Sequence, residues 1–244
     1  MQVRNRYYFV ADVHLGLPVN DVRQREQNFV LWLDKAAQDA KAIFLLGDIF
    51  DFWCEYKKVV PKGFVRTLGK LAELADQGIE IHFFLGNHDL WTFGYLSDEL
   101  GIQIHHRPLE ISLNGKIFYL AHGDNAGKIP KAYRFLRGVF TSSFFQKCFA
   151  SIHPRWGLAF AHRWSRHSRL SKGLSLPFQQ EKEQLYRFAQ AYSKEHPINY
   201  FIFGHRHTPL SLPVGEHSRL VILGEWIQGC EYAVFDSTGL HLQK

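Results

Sequence analysis

The chain has 244 residues, of which 46% are hydrophobic and 21% are charged, and its formal net charge is +6. This length suits one domain with a large core, and the apolar content excludes a disordered chain. The three cysteines, Cys54, Cys148 and Cys230, are too few and too scattered for a disulfide framework or a zinc cluster, which favours free thiols in a reducing compartment.

Short apolar runs alternate with helical patterns along the chain. Buried strands are predicted at residues 7–10, 43–46, 81–85, 118–121 and 201–203. Apolar residues at helical spacing predict helices within residues 21–40 and 62–77. After residue 116 shorter strands dominate, including those predicted at 220–223, 231–235 and 240–242. This order predicts an α/β fold with two sheets packed face to face and flanked by helices.

A polar block follows each of the first five predicted strands. The blocks are Asp12-Val13-His14, Gly47-Asp48, Gly86-Asn87-His88-Asp89, His122-Gly123-Asp124 and Gly204-His205-Arg206-His207. Ligands collect at the carboxyl ends of strands in layered α/β folds. Carboxylate and imidazole groups suit manganese, iron or zinc, and one shared aspartate can hold two ions about 3.5 to 4 Å apart. One block alone is more typical of a solvated turn, but the set predicts a two-metal hydrolase.

The segment between Asp124 and Glu181 accounts for the entire net positive charge of the chain. It has no acidic residue and carries Lys128, Lys131, Arg134, Arg137, Lys147, Arg155, Arg163, Arg166, Arg169 and Lys172. Phe, Trp and aliphatic residues lie between these cations. The segment could be an ordinary helical hairpin, a platform for single-stranded nucleic acid or an amphipathic lid for an anionic lipid. Its mixed aliphatic and aromatic content favours a lid over residues 126–177.

In this order the five blocks resemble those of the calcineurin-like metallophosphoesterases, over most of the chain. Within that superfamily the chain is similar to the UDP-2,3-diacylglucosamine pyrophosphohydrolases of lipid A biosynthesis. Residues 47–53, 131–133 and 223–226 carry this narrower resemblance. It implies a single domain over residues 1–244, a four-layer α-β-β-α sandwich with an inserted helical lid. It also implies hydrolysis of the pyrophosphate bond of UDP-2,3-diacylglucosamine to UMP and 2,3-diacylglucosamine 1-phosphate.

The resemblance further implies which residues hold two divalent ions. One set is Asp12, His14, Asp48 and His207, and the other is Asp48, Asn87, His122 and His205. Asp48 would bridge the ions, which polarise the phosphoryl oxygens and lower the pKa of a water molecule. Oxygen ligands and a neutral asparagine favour manganese, with iron and zinc as alternatives. Asp48, Asn87 and His88 are the expected catalytic residues.

His88 stands where the narrower family often has arginine. In the broader superfamily this histidine binds the phosphate or protonates the leaving group, and Asp89 is a candidate to orient it. Pro130 also departs from an aspartate of some members, so a related pyrophosphate substrate stays open. The expected substrate contacts are Tyr133, Arg134, Arg137, Arg166, Ser168, Arg169 and Lys172, because guanidinium and ammonium groups recognise phosphate oxygens.

Two other classes of function compete with this interpretation. A phosphodiesterase or nuclease would use the same metals, but the aliphatic content of the lid segment disfavours a nucleic-acid partner. A non-catalytic scaffold would be expected to have lost ligands, and all seven are present. We therefore expect a lipid-linked nucleotide sugar and an anionic inner-membrane surface as partners, with no obligate protein partner indicated. The absence of a secretory leader and of a long uncharged apolar stretch predicts a cytoplasmic protein, peripherally associated with the inner membrane.

Overall fold

Two sheets form the centre of the molecule in the computed structural model, which describes residues 4–157 and 179–244. The strands are β1 (Arg6–Val10), β2 (Ala40–Leu45), β3 (Glu80–Phe84), β4 (Gln103–His105), β5 (Leu109–Leu113), β6 (Lys116–Leu120), β7 (Tyr200–Phe203), β8 (Leu210–Val214), β9 (Ser218–Ile222), β10 (Tyr232–Asp236) and β11 (Gly239–Gln243). The strand orders are β11-β10-β1-β2-β3-β4 and β5-β6-β7-β9-β8. Strands β1 to β4 run parallel, as do β6, β7 and β9, so their carboxyl ends lie along one edge of each sheet.

Helices cover the outer face of each sheet. They are α1 (Val22–Ala36), α2 (Val65–Asp76), α3 (Tyr95–Leu100), α4 (Lys131–Thr141), α5 (Ser143–Ala150) and α6 (Gln184–Tyr192), with a 3-10 turn at Gln180–Lys182. Helix α1 begins after Asp21, whose side chain accepts a hydrogen bond from the Gln24 N–H (2.9 Å). The predicted helices at 21–40 and 62–77 are therefore confirmed, each trimmed at its ends.

Alternation along the central strands produces a four-layer arrangement. In β1, Tyr8 and Val10 pack towards α1, whereas Phe9 points to the space between the sheets. The Phe9 ring stacks on Phe44 of its own sheet (5.0 Å) and on Phe118 of the facing sheet (5.7 Å between centroids). A third apolar cluster joins the second sheet to α6. The predicted α-β-β-α sandwich is confirmed, and its inter-sheet layer is largely aromatic.

The described part of the predicted lid is helical and lies on the surface. Neither α4 nor α5 has a buried residue. Trp91, from the loop after β3, connects both helices to the body of the protein. Its indole N–H donates to the Phe140 carbonyl (2.7 Å), and its ring lies 4.4 Å from that of Phe149. Residues 158–177 of the predicted lid lie outside the described residues.

A search of the described helices finds none with the length and apolar character that a membrane span requires.

Candidate metal centre

The two sheets bring the five polar blocks together at one edge of the sandwich. Asp12 and His14 follow β1, Asp48 follows β2, and Asn87 follows β3, all in the first sheet. The second sheet contributes His122 after β6, and His205 and His207 after β7. Groups of nearby donor atoms in the described residues include Asp12 with His14 and His207, and Asp12 with Asp48 and His122. Blocks that lie 193 residues apart in the sequence thus meet in one cluster.

The first group has the donor set of a divalent-cation site. Asp12 Oδ1 lies 3.2 Å from His207 Nε2 and 3.7 Å from His14 Nε2, and the two imidazole nitrogens are 3.3 Å apart. Asp12 Oδ1 is buried and has no hydrogen-bond partner. A buried acceptor of this kind is costly unless a cation or a donor satisfies it. These residues therefore fit a metal ion.

The second group has a similar mixture of nitrogen and oxygen donors. His122 Nε2 lies 3.4 Å from Asp48 Oδ2 and 3.3 Å from Asn87 Oδ1, and its ring centroid is 5.3 Å from that of His205. On the other side of the ring, His122 Nδ1 is 2.9 Å from the Leu46 carbonyl oxygen. A carbonyl can only accept, so Nδ1 carries the hydrogen and Nε2 is directed at the cluster. Backbone carbonyls fix metal-binding histidines in this way.

The backbone is strained where these side chains begin. Eight non-glycine residues in the described ranges have positive φ, and five of them are Asp12 (54°), His14 (49°), Asp48 (53°), His205 (67°) and His207 (54°). Such conformations cost of the order of 1 to 3 kcal/mol each and persist only where neighbouring structure enforces them. Here the His14 N–H donates to the Asp48 carbonyl (3.0 Å), and the His205 N–H donates to Asp12 Oδ2 (2.8 Å). The strained residues therefore hold one another in place.

Two glycines permit this close approach of loops. A Cβ at Gly86 would lie 2.1 Å from Asp48 Oδ1, and one at Gly204 would lie 2.6 Å from Asp12 Oδ2. Both distances are far inside van der Waals contact, so a larger residue would displace the carboxylate. Gly86 and Gly204 are thus required by packing around the aspartates.

The electrostatics of the cluster favour an ionised Asp48 carboxylate. Burial alone would raise the pKa of the Asp48 carboxyl, but His122, His88 and His14 hold that pKa well below its ordinary value. Burial opposes the proton on His122, yet Asp48 keeps the pKa of His122 well above its usual range. Desolvation, and then the neighbouring His122, lower the pKa of His205 to about 4. A cation binding at Nε2 of His122 has to displace a proton, as at other metal sites.

His88 is oriented by Asp51, whose importance the sequence did not indicate. His88 Nδ1 lies 2.8 Å from the Asp51 carbonyl oxygen and 3.9 Å from Asp51 Oδ1. Nδ1 therefore carries the hydrogen, and Nε2 points to the cluster, 3.9 Å from Asp48 Oδ2. Asp89, the candidate for this role in the sequence, instead accepts the N–H groups of Gly86 (2.7 Å) and Ile49 (2.9 Å). It joins the β2 and β3 loops and does not orient His88.

Asp89 is itself electrostatically unusual. Burial, and then the nearby Asp48 carboxylate, raise the pKa of Asp89 to about 7. Its hydrogen bonds from two backbone N–H groups favour the ionised form, and they are outweighed.

The expected substrate contacts fall into three sets. The Tyr133 hydroxyl donates to Asp124 Oδ2 (2.9 Å), and Arg137 Nε lies 3.3 Å from the same oxygen. Burial, and then Asp124, raise the pKa of Tyr133, so its hydroxyl stays a donor. Arg134, which directly follows Tyr133 in α4, is exposed. The remaining contacts, which lie outside the described residues, are Arg166, Ser168, Arg169 and Lys172.

A cleft of about 400 Å³ opens beside the cluster. Gly123, Asp124 and His205 line it next to the metal ligands, and Glu183 and Arg206 also contribute to its wall. Arg206 Nη2 lies 2.7 Å from Glu183 Oε1, so the wall contains an ion pair. The cleft therefore connects the cluster to the side of the molecule that carries α6.

Comparison with known proteins agrees with the phosphoesterase-type metal site that the geometry indicates. A family model described as calcineurin-like phosphoesterase matches residues 6–209. The chain belongs to this family. A solved dimetal phosphatase from Danio rerio superposes with a TM-score of 0.51 at 14% identity, covering 99% of this chain and 96% of that one. At that identity the likeness supports the fold alone.

Two curated relatives confirm the narrower resemblance. The UDP-2,3-diacylglucosamine hydrolase of Porphyromonas gingivalis is 41% identical, and the alignment covers 99% of this chain and 98% of that protein. The UDP-2,3-diacylglucosamine hydrolase of Hahella chejuensis is 29% identical, with 96% and 95% covered. Because the first alignment spans both chains almost completely, the resemblance includes the lid segment as well as the metal-site blocks.

Proposed function

We propose that the protein hydrolyses the pyrophosphate bond of UDP-2,3-diacylglucosamine, giving UMP and 2,3-diacylglucosamine 1-phosphate, a step of lipid A biosynthesis. The observation that carries this proposal is the 41% identity to a UDP-2,3-diacylglucosamine hydrolase over 99% of the chain. The convergence of Asp12, His14, Asp48 and His122 supports a dimetal mechanism for it.

In our proposal two divalent ions share the cluster. Asp12, His14, Asp48 and His207 hold one, and Asp48, Asn87, His122 and His205 hold the other. When bound, such a pair supplies Lewis-acid stabilisation of the phosphoryl oxygens and a more acidic water molecule. The low pKa of Asp48 keeps this carboxylate ionised for the shared position. The carboxylate and amide oxygens among these ligands lead us to propose manganese as the metal.

His88 is the proposed proton donor or phosphate ligand. The His88 Nδ1–H donates a hydrogen bond to the Asp51 carbonyl, so Nε2 is available to a phosphoryl or leaving-group oxygen. The His88 side chain is 20% exposed, whereas those of His14 and His122 are 1% exposed. A substrate can therefore reach His88 directly.

Residues 126–177 form, in this proposal, a lid that receives the lipid part of the substrate. Tyr133 and Arg137 join α4 to Asp124, two residues after His122, so the lid begins beside the reacting bond. Arg137 Nη1 is buried and has no hydrogen-bond partner among the described residues, which suits a phosphate oxygen. The other proposed substrate contacts are Arg134, the later lid cations Arg166, Arg169 and Lys172, and the hydroxyl of Ser168.

The outer face of the lid suits an anionic membrane surface. Exposed apolar side chains in the described part of the lid are Phe135, Phe144, Phe145, Ile152 and Trp156. Exposed cations on the same segment include Lys131, Arg134, Lys147 and Arg155. Apolar groups that insert at the headgroup level, together with cations that attract anionic lipids, favour reversible attachment. We therefore propose a peripheral location at the inner membrane.

The function is tested with metal-depleted protein to which manganese, iron or zinc is returned. We expect release of UMP from UDP-2,3-diacylglucosamine in a metal-dependent manner, highest with manganese. Bis-p-nitrophenyl phosphate and single-stranded DNA serve as comparison substrates. Faster cleavage of DNA, or no UMP with any metal, would overturn the proposal. Flotation with vesicles containing anionic lipid tests the membrane surface, and neutral vesicles are the control.

A further inference from the structure

A buried cation outside the candidate ligands contacts the loop that carries His14. Arg25 lies in the first turn of α1 and is 4% exposed. Its Nη1 donates to the carbonyl oxygens of His14 (2.8 Å) and Leu17 (3.3 Å), and its Nη2 donates to that of Val19. A buried charge is costly unless it is well hydrogen-bonded, and bonds from a charged donor are about twice as strong as neutral ones. The guanidinium therefore fixes the whole turn between β1 and α1.

The planar shape of the guanidinium explains why an arginine occupies this position. Its nitrogens diverge in one plane and reach carbonyls at residues 14, 17 and 19 together. A lysine would place all its donors at a single point. Helix α1 holds the base of the side chain, because the Arg25 N–H donates to the carbonyl of the capping residue Asp21 (3.0 Å).

The bond to His14 acts on a strained residue. His14 has φ 49°, its N–H donates to the Asp48 carbonyl (3.0 Å), and its own carbonyl accepts from Arg25. With both sides of the residue bound, the direction of its Cα–Cβ bond is fixed. That direction places His14 Nε2 3.3 Å from His207 Nε2.

We infer that Arg25 is a positioning residue for the ion shared by Asp12, His14, Asp48 and His207, an inference that rests on the function proposed for that cluster. Arg25 acts through the His14 backbone and touches neither metal nor substrate. Outer-shell partners of metal ligands typically contribute 10- to 100-fold to metal affinity. The second ion shares only Asp48 with the first and has His122, Asn87 and His205 as its other proposed ligands, so we expect its affinity to change much less when Arg25 is changed.

The test compares metal binding in Arg25→Met, Arg25→Lys and Leu33→Ala. Leu33 is a fully buried residue later in α1, so Leu33→Ala weakens the same helix without touching the His14 loop. Calorimetric titration of manganese into metal-free protein resolves the two ions. We expect Arg25→Met to weaken one of them by roughly 10- to 100-fold, Arg25→Lys to weaken it less, and Leu33→Ala to leave both unchanged.

The melting temperature separates positioning from general stabilisation. It is measured in chelator and at a manganese concentration about 100 times the wild-type dissociation constant, because a ligand raises stability according to its affinity. A positioning role predicts that the metal-induced rise in Tm shrinks in Arg25→Met and persists in Leu33→Ala. An equal fall of Tm in both conditions, with wild-type manganese affinity, would overturn the inference. If Arg25→Met does not fold, the same two measurements on Arg25→Lys decide.

The outcome is independent of the substrate assignment. If wild-type protein binds two ions but releases no UMP from the diacylated nucleotide, the proposed reaction fails and the role of Arg25 is still measured. If wild-type protein binds none of manganese, iron and zinc with appreciable affinity, both proposals fail, and that result appears in titrations of the wild-type protein alone.

Discussion

The metal-site loops and the lid helices are built in opposite ways. Asp12, His14 and Asp48 are almost completely buried, and their backbone is strained and cross-connected. Helices α4 and α5 bury no residue, and Phe135 is 75% exposed. Catalysis needs its metal-binding and reacting groups held to within about 0.5 Å, whereas contact with a lipid needs exposed apolar surface that becomes buried on binding. The contrast indicates that the reaction and the choice of substrate depend on separable parts of the chain.

The largest effect that tests this separation is expected from Asp48→Ala. Losing the proposed shared carboxylate removes a ligand from both ions and leaves two cations repelling each other. We expect metal content to fall from two ions towards none, and turnover to fall by roughly 10⁴-fold or more on every substrate, since several kcal/mol of stabilisation are lost.

His14→Ala is the comparison for that variant, because His14 belongs to one proposed ligand set only. Elemental analysis should find one ion largely retained. Two ions retained in Asp48→Ala would contradict the bridging assignment, and circular dichroism establishes that both variants fold.

A smaller loss is expected when His88 is removed. His88→Ala should lower turnover by roughly 10²- to 10⁴-fold with both ions kept, the usual contribution of a positioned acid or base. The loss should shrink for substrates whose leaving groups need no proton. The exposed His106 on the loop after β4 is a matched control, and His106→Ala should behave as wild type. Unchanged turnover in His88→Ala would reduce this residue to a packing role.

The lid should show the reverse selectivity. Phe144 and Trp156 are 68% and 66% exposed, so changing both to serine should leave Tm nearly unchanged. Each is expected to raise KM for the diacylated nucleotide roughly tenfold, since burying such a side chain is worth about 1.5 to 3 kcal/mol and 1.36 kcal/mol is tenfold. Hydrolysis of bis-p-nitrophenyl phosphate should not change.

Leu31 provides the control for the lid variants. It is 64% exposed on α1, in the body of the protein, and Leu31→Ser should affect neither substrate. If the lid variants impaired both substrates equally, α4 and α5 would be part of the catalytic framework, and the separation would be lost.

The smallest perturbation uses the cysteines and leaves catalysis untouched. Cys54 is 2% exposed in the body, whereas Cys148 is exposed on α5. Burial, and then Glu55, raise the pKa of Cys54 to about 12, so at pH 8 only roughly 10⁻⁴ of it is thiolate. Iodoacetamide at pH 8 should therefore modify Cys148 and spare Cys54, as read by peptide mass spectrometry. Equal modification of both would show that the body opens as readily as the lid.

The metal-site blocks could be predicted because their signal is local. Each combines a short apolar run with ligand-type side chains and a glycine, and parallel strands then bring the run ends together. The strands β4, β5 and β8 and the helices α3 and α6 were not predicted. The three strands are short and lie at the sheet margins, where partners distant in the sequence define them more than their own residues do.

The contacts that hold the site could not be predicted, for a related reason. Arg25 contacts carbonyl oxygens, which every residue has, so nothing in the sequence marks its partners. Asp51 contacts His88 from a different loop, whereas Asp89, the residue next to His88 in the sequence, does not orient it. The family resemblance implied helices in the lid, but only the position of Asp124 decides that Tyr133 and Arg137 point inward while Arg134 does not.

The division of the proposed ligands between two sheets sets an order of assembly. During synthesis, the chain contains Asp12, His14, Asp48 and Asn87 shortly after β3. His205 and His207 follow only after β7, late in the 244 residues. Neither ion can have its full shell before then. With these proposed ligands, complete metal loading would require the second sheet to have formed, and the bound ions would hold the two sheets together.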